Sequence, residues 1–131
     1  MTPEARFHAY IDAFNRSDYA ALCAYYADDI ELVIGNGTTL VGRDAIVAFY
    51  RPVKAAATRT ITILQCFHDG VVLAAELEST FVALRDLPDF PSGPMRTGDR
   101  RYINSLVLYD LRGDRYTRIR AAILRRDQQP A

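Results

Sequence analysis

Residues 71–84 read VVLAAELESTFVAL, and this stretch decides the fold class. Apolar side chains occupy nearly every second position from Leu73 to Phe81, whereas Glu76 and Glu78 occupy positions between them. An alternation of period two predicts a β-strand with one face in the protein interior and the other toward solvent. The two glutamates are therefore predicted to point away from the core.

Three further stretches with strand patterns surround this one. They cover residues 58–67, 100–111 and 115–124. Glycine-containing turns at 68–70 and 112–114 predict tight hairpins, so the four strands form an antiparallel meander. Segment 85–99 carries three prolines and is longer than an ordinary hairpin connection, which predicts a lid or rim.

The N-terminal part of the chain has helical periodicity instead. The predicted helices cover 3–16, 18–26 and 43–51, and Pro52 is predicted to end the last one. Short strands at 30–34 and 39–41 are predicted to pair around a turn at 35–38. Helices followed by a meander favour the α+β class, with three N-terminal helices packed on a strongly curved antiparallel sheet.

Composition excludes several kinds of protein. The chain has 131 residues, 50% of them hydrophobic, and its 16 basic and 16 acidic residues cancel. We expect one domain over residues 1–131 with a frayed tail from Arg125 onward. Zero net charge argues against a nucleic-acid binder, and no apolar run reaches membrane-spanning length. Without a signal peptide, and with Cys23 and Cys66 predicted to be buried reduced thiols, the expected location is the cytoplasm.

Several short motifs follow one another in a distinctive order. The first is Phe14-Asn15-Arg16-Ser17-Asp18, the second Tyr26-Ala27-Asp28-Asp29-Ile30, and the third Gly42-Arg43-Asp44-Ala45-Ile46 followed by Phe49-Tyr50. With the meander after them, these motifs resemble the nuclear transport factor 2-like superfamily, particularly its SnoaL-like and ketosteroid isomerase-like members. The resemblance implies a cystatin-like, cone-shaped α+β barrel with a pocket between helices and sheet. It also implies a homodimer, for which we expect the convex sheet face carrying Arg118 and Arg120.

The same resemblance suggests roles for particular residues. Tyr10 matches the tyrosine that donates a hydrogen bond to the substrate oxygen, and Tyr26 and Tyr50 match two tyrosines that support it. The position of the usual carboxylate base is Ile34, which cannot accept a proton. The second donor of that family, a protonated carboxyl, aligns near Ser105–Val107. Ketosteroid isomerisation by the usual mechanism is therefore not expected.

Other residues are predicted to contact a ligand. Phe14, Ile34, Phe49 and Phe81 are predicted to form an apolar wall, and Arg101 and Asn104 follow the proline-rich segment near the expected pocket mouth. His68 lies in a turn, where it would matter only if the turn covered the pocket.

The sequence lacks the motifs of cofactor enzymes. It has no phosphate-binding loop, dinucleotide fingerprint or histidine–cysteine metal spacing, so no cofactor and no metal are predicted. Two functions remain open. One is an enzyme that isomerises, cyclises or dehydrates a small hydrophobic carbonyl compound, like a polyketide cyclase, with Tyr10 as donor. The other is a non-catalytic domain of the same fold that binds a small molecule or mediates assembly.

Overall fold

The computed structural model describes residues 1–35 and 37–131, so one residue of the predicted 35–38 turn lies outside the described part. The three helices are α1 (Pro3–Asn15), α2 (Tyr19–Cys23) and α3 (Arg43–Ala56). The six strands are β1 (Tyr26–Val33), β2 (Thr39–Val41), β3 (Ala57–His68), β4 (Val72–Ala83), β5 (Arg100–Arg112) and β6 (Arg115–Gln129).

All six strands form one sheet in the order β2-β1-β6-β5-β4-β3. The predicted meander of β3 to β6 is antiparallel throughout, and β2 pairs with β1 in the same sense. One pair departs from the predicted antiparallel sheet, because β1 runs parallel to β6, with Leu32 opposite Ile119. Helices packed on a curved sheet confirm the α+β class.

Side-chain hydrogen bonds fix both ends of helix α1. The Thr2 hydroxyl accepts a hydrogen bond from the Ala5 amide at 3.1 Å, which caps α1. At the other end of α1, Asn15 donates to the Ile61 carbonyl (2.9 Å) and accepts from the Ile61 amide (2.8 Å). The Asn15 side chain thus pairs with the backbone of β3 as a neighbouring strand would, and it fixes α1 against β3.

The alternation in β4 is confirmed. Leu73, Ala75, Leu77, Ser79 and Phe81 are buried on the face that the helices cover, which we call the inner face. The intervening residues lie on the opposite, outer face, as predicted for Glu76 and Glu78. Cross-strand pairing extends both faces to β3, where Arg59 is opposite Phe81.

Three predicted boundaries differ from the structure. Helix α3 continues through Pro52 to Ala56, because Val53 and Ala56 pack against Phe81 in a second apolar cluster. At the boundary between α2 and β1, the helix ends at Cys23 instead of residue 26 and the strand begins at Tyr26 instead of Ile30, since Tyr26 pairs with β6.

The third difference is the tail. Residues 125–129, predicted to fray, continue β6 and pair with the start of β5. Ile123 is 50% exposed, because β6 extends beyond the part of the sheet that the helices cover. Within the described residues, no helix has the length and apolar character needed to cross a membrane.

Candidate functional site

A cluster of tyrosines lies between α1 and the inner face. The hydroxyls of Tyr10 (α1) and Tyr26 (β1) are 2.8 Å apart and hydrogen-bonded, and both side chains are buried. The Tyr10 ring also makes edge contacts with Tyr109 and Tyr116, at centroid distances of 5.9 and 5.1 Å. The helix and the sheet thus meet through aromatic rings, and the hydroxyls of Tyr10 and Tyr26 are paired with each other.

Burial sets the protonation state of this cluster. It raises the pKa of Tyr10 well above the ordinary tyrosine value, and the neighbouring Tyr26 raises it further. Burial likewise raises the pKa of Tyr26 and of Tyr109. A phenol that stays protonated is a neutral hydrogen-bond donor, which is the form needed to stabilise negative charge developing on a ligand oxygen.

Tyr50 of α3 is the third predicted tyrosine, and it is partly exposed. Its ring makes an edge contact with Phe14 at 5.0 Å. Burial raises the Tyr50 pKa, whereas the charge and a hydrogen bond of Arg59 lower it. Tyr50 lies close enough to Tyr10 and Tyr26 that its ionisation would raise their pKa values. The structure thus brings the three tyrosines into one region, with a direct hydrogen bond between Tyr10 and Tyr26.

Arg59 lies beside Tyr50 and was not predicted as a site residue. Its guanidinium donates to the Ser79 hydroxyl at 3.1 Å and sits 5.2 Å from the Phe14 ring centroid and 5.0 Å from that of Phe81. Its Nε is buried and has no hydrogen-bond partner among the described residues. The alternation of Arg59, Ile61 and Ile63 along β3 could have indicated that this arginine points inward.

Lys54, in the last turn of α3, is a second cation at the same place. Its Nζ lies 4.1 Å from the Phe14 ring centroid and donates to the Phe14 carbonyl. Burial and, secondarily, the charge of Arg59 lower the pKa of Lys54 to about 8. It is the only lysine in the sequence, a signal that sequence reasoning could have used.

Two predicted ligand-binding residues have other partners. Asn104 lies on the outer face and donates to Glu76 at 3.0 Å, so it does not join the inner-face cluster. Arg101 is buried and donates to the Ser92 hydroxyl and to the Gly93 and Pro94 carbonyls, each at 2.8 Å. Arg101 therefore holds the proline-rich segment against β5 instead of presenting a free guanidinium.

The apolar candidates are distributed over two places. Phe14 and Phe81 flank Arg59, and Ile34 packs at the edge of the main core. Phe49 instead lines a cavity of about 520 Å³ between α3 and residues 85–91. This cavity is next to the aromatic wall, because its lining residues Val53 and Ala56 pack in the same cluster as Phe81.

The turn that carries His68 lies beside the start of α1, and both cysteines lie partly exposed to solvent. The Nε2 atom of His68 lies 3.0 Å from a carboxylate oxygen of Glu4, and this contact links the end of β3 to the start of α1. Cys23 and Cys66 are free and partly exposed, in contrast to the predicted full burial. No group of three or more histidine, cysteine or acidic side chains with metal-binding arrangement occurs within residues 1–35 and 37–131.

Comparison with known proteins identifies the family. The family model of the SnoaL-like domain matches residues 7–119. The chain belongs to the SnoaL-like domain family. No curated protein matches its sequence.

Solved structures share the fold of this SnoaL-like domain. A proposed polyketide cyclase from Xanthomonas campestris pv. campestris is 21% identical, with a TM-score of 0.78 over 91% of this chain and 87% of that one. A proposed polyketide cyclase from Pseudomonas putida is 22% identical, with a TM-score of 0.76 over 93% and 91%. A computationally designed 17-OHP binder is 16% identical, with a TM-score of 0.76 over 98% and 100%. At these identities the matches show the fold.

The SnoaL-like domain has no acid at the positions where the resemblance implied carboxyl groups. Ile34 is partly buried and apolar. In the strand that should carry the second donor, Ser105 and Val107 face inward, whereas Leu106 faces outward and is 40% exposed. The serine hydroxyl can donate a hydrogen bond, but it does not supply the acidic proton of a carboxyl group.

Proposed function

We propose that this SnoaL-like domain binds a small hydrophobic carbonyl compound against its inner face. The observation that carries the proposal is the buried hydrogen bond between the Tyr10 and Tyr26 hydroxyls, at 2.8 Å. If Tyr26 donates in that bond, the Tyr10 proton is directed to a ligand oxygen. The likeness to a designed 17-OHP binder and to proposed polyketide cyclases supports a small-molecule ligand.

The chemistry that suits this site uses a neutral donor without a carboxylate base. A hydrogen bond from Tyr10 to the carbonyl stabilises the negative charge that develops during isomerisation, cyclisation or dehydration. Tyr26 orients the donor, and Tyr50 provides a further hydroxyl nearer to solvent. The aromatic walls formed by Phe14 and Phe81 match a hydrophobic ligand body.

A second function, non-catalytic binding or assembly, is favoured by the placement of the acids. Among the described residues of β4, both glutamates lie on the outer face, so neither can act as a base at the tyrosine cluster. An inner face with donors and without an acid holds a carbonyl compound without removing a proton from it. Both the enzyme and the non-catalytic binder predict ligand binding, the enzyme also predicts turnover, and a pure assembly domain predicts neither.

A binding screen with one substitution tests the proposal. Neutral aromatic ketones, such as methyl 2-naphthyl ketone, are expected to raise the melting temperature of the wild type, and Tyr10→Phe should weaken this effect. Tyr102→Phe, on the outer face, is the matched control and should bind like the wild type. Full retention of ligand binding in Tyr10→Phe would show that Tyr10 is not the donor. Unchanged turnover of an identified substrate in Tyr10→Phe would likewise exclude the proposed mechanism.

We also propose a homodimer that pairs through the outer face, in the cytoplasm. Leu106 and Phe67 are exposed on this face, at 40% and 60%, beside the ion pair of Arg120 with Asp110. The unpaired cysteines favour a reducing compartment. Sedimentation velocity at micromolar concentration should give a dimer that Leu106→Glu dissociates. A wild-type monomer would exclude this assembly.

A further inference from the structure

We propose that Arg59 and Lys54 form an anion site, and that the ligand of the inner face is a hydrophobic acid whose carboxylate binds between them. This inference rests on the proposed function, since it assumes that the inner face holds the ligand. The proposed function specifies a hydrophobic carbonyl compound, and the anion site specifies that this compound carries a carboxylate.

The first step is the orientation of Arg59. Its position opposite Phe81 in the β3–β4 register places it on the inner face, in the middle of apolar and aromatic side chains. Its hydrogen-bond partners are the hydroxyls of Ser79 and Tyr50, which orient the guanidinium without neutralising it. A guanidinium presents a planar set of donors that matches a carboxylate.

The second step is the closeness of Lys54. Its ammonium and the Arg59 guanidinium both stack over the Phe14 ring, at 4.1 and 5.2 Å from its centroid. The two positive charges repel each other, and the repulsion contributes to the lowered pKa of Lys54. A negative charge placed between them would remove this repulsion and interact favourably with both.

The third step is the missing counter-ion. The ion pairs found within residues 1–35 and 37–131 involve other cations, and none includes Arg59 or Lys54. The two glutamates of the adjacent strand, Glu76 and Glu78, both face outward, and Glu76 is held by Gln65 and Asn104. A partly buried cation without a neighbouring acid lowers the stability of the folded protein, so the binding of an external anion at this site is favourable.

The surrounding side chains define the rest of the ligand. The buried rings of Phe14 and Phe81 and the partly exposed ring of Tyr50 lie next to the two cations. A small acid with an aromatic or alicyclic body would place its carboxylate on the cations and its body on these rings. A strongly hydrated inorganic anion would not use the aromatic surface.

The test compares 2-naphthoate with methyl 2-naphthyl ketone, which has the same ring system and no charge. Titration calorimetry on the wild type should give an affinity for the acid about tenfold or more above that for the ketone. Arg59→Gln and Lys54→Gln should each reduce the preference for the acid over the ketone, and an unchanged circular-dichroism spectrum with a cooperative melt shows that each variant folds. Arg51→Gln is the matched control: Arg51 lies on α3 but stacks on Tyr19, so the preference should persist.

The outcomes separate the inference from the proposed function. If the wild type binds the ketone as well as or better than the acid, the anion site is excluded and the proposed function stands. A preference for the acid that survives both Arg59→Gln and Lys54→Gln would also overturn the assignment. If the wild type binds neither compound, the proposed function fails and the inference fails with it.

Discussion

The titration of Lys54 offers the most direct check of the site. Its pKa falls from the ordinary 10.5 to about 8, with burial as the larger cause and Arg59 as the smaller. Arg59 on β3 is the charged neighbour that acts on Lys54, and α1 contributes the uncharged Phe14 ring. Replacing Arg59 by glutamine removes the smaller cause and keeps the larger. The Lys54 pKa should therefore rise, but by less than half of the difference between about 8 and 10.5.

The measurement is simple because Lys54 is the only lysine in the sequence. Carbon-13 labelling of lysine gives a single side-chain resonance, whose shift can be followed from about pH 6 to about pH 11. The wild type should show a midpoint near 8, and Arg59→Gln a higher one. Arg51→Gln should leave the midpoint unchanged. A wild-type midpoint near 10.5 would refute the burial of Lys54 and its interaction with Arg59.

Three further predictions concern stability. Tyr26→Phe leaves the buried Tyr10 hydroxyl without its partner and should lower the free energy of unfolding by about 1–3 kcal/mol in urea denaturation; an unchanged midpoint would contradict the hydrogen bond. Asn15→Ala removes both hydrogen bonds to Ile61 and should cost a similar amount, about 1–3 kcal/mol, with α1 losing amide-exchange protection first. The pKa of Lys54 is lower in the folded state than in the unfolded state, so the unfolded chain binds more protons between about pH 8 and 10.5. The free energy of unfolding of the wild type, relative to that of Lys54→Met, should therefore rise with pH across that range. If the difference in free energy of unfolding falls or stays constant over this pH range, the predicted decrease of the Lys54 pKa on folding is wrong.

Local patterns in the sequence predicted most of the fold. The alternation in 71–84 correctly assigned the inner and outer residues of β4, because side-chain direction in a strand follows from position alone. Contacts distant in sequence decided the remaining elements. Residues 125–129 are polar and lack a strand pattern, yet backbone pairing with β5 orders them.

The candidate site was predicted less completely, and one error explains part of the gap. Ending α3 at residue 51 left Lys54 outside any element, whereas the helix actually continues past Pro52 and carries Lys54 to the Phe14 ring. Arg59 was not predicted as a site residue, although its alternation with Ile61 and Ile63 along β3 places it on the inner face. The tyrosines came from the family resemblance, and their hydrogen bond depends on a packing distance that no sequence pattern contains.

The parallel pairing of β1 with β6 has a consequence for how the protein folds. Strand β6 is the last of the six in chain order, yet it lies between β1 and β5 in the sheet. The β1–β2 hairpin therefore has no partner strand until β6 has been synthesised, and its joining requires closure of a loop that spans most of the chain. Such long-range closure slows folding. During synthesis, the apolar side of that hairpin stays uncovered by the rest of the sheet until residues 115–129 have left the ribosome.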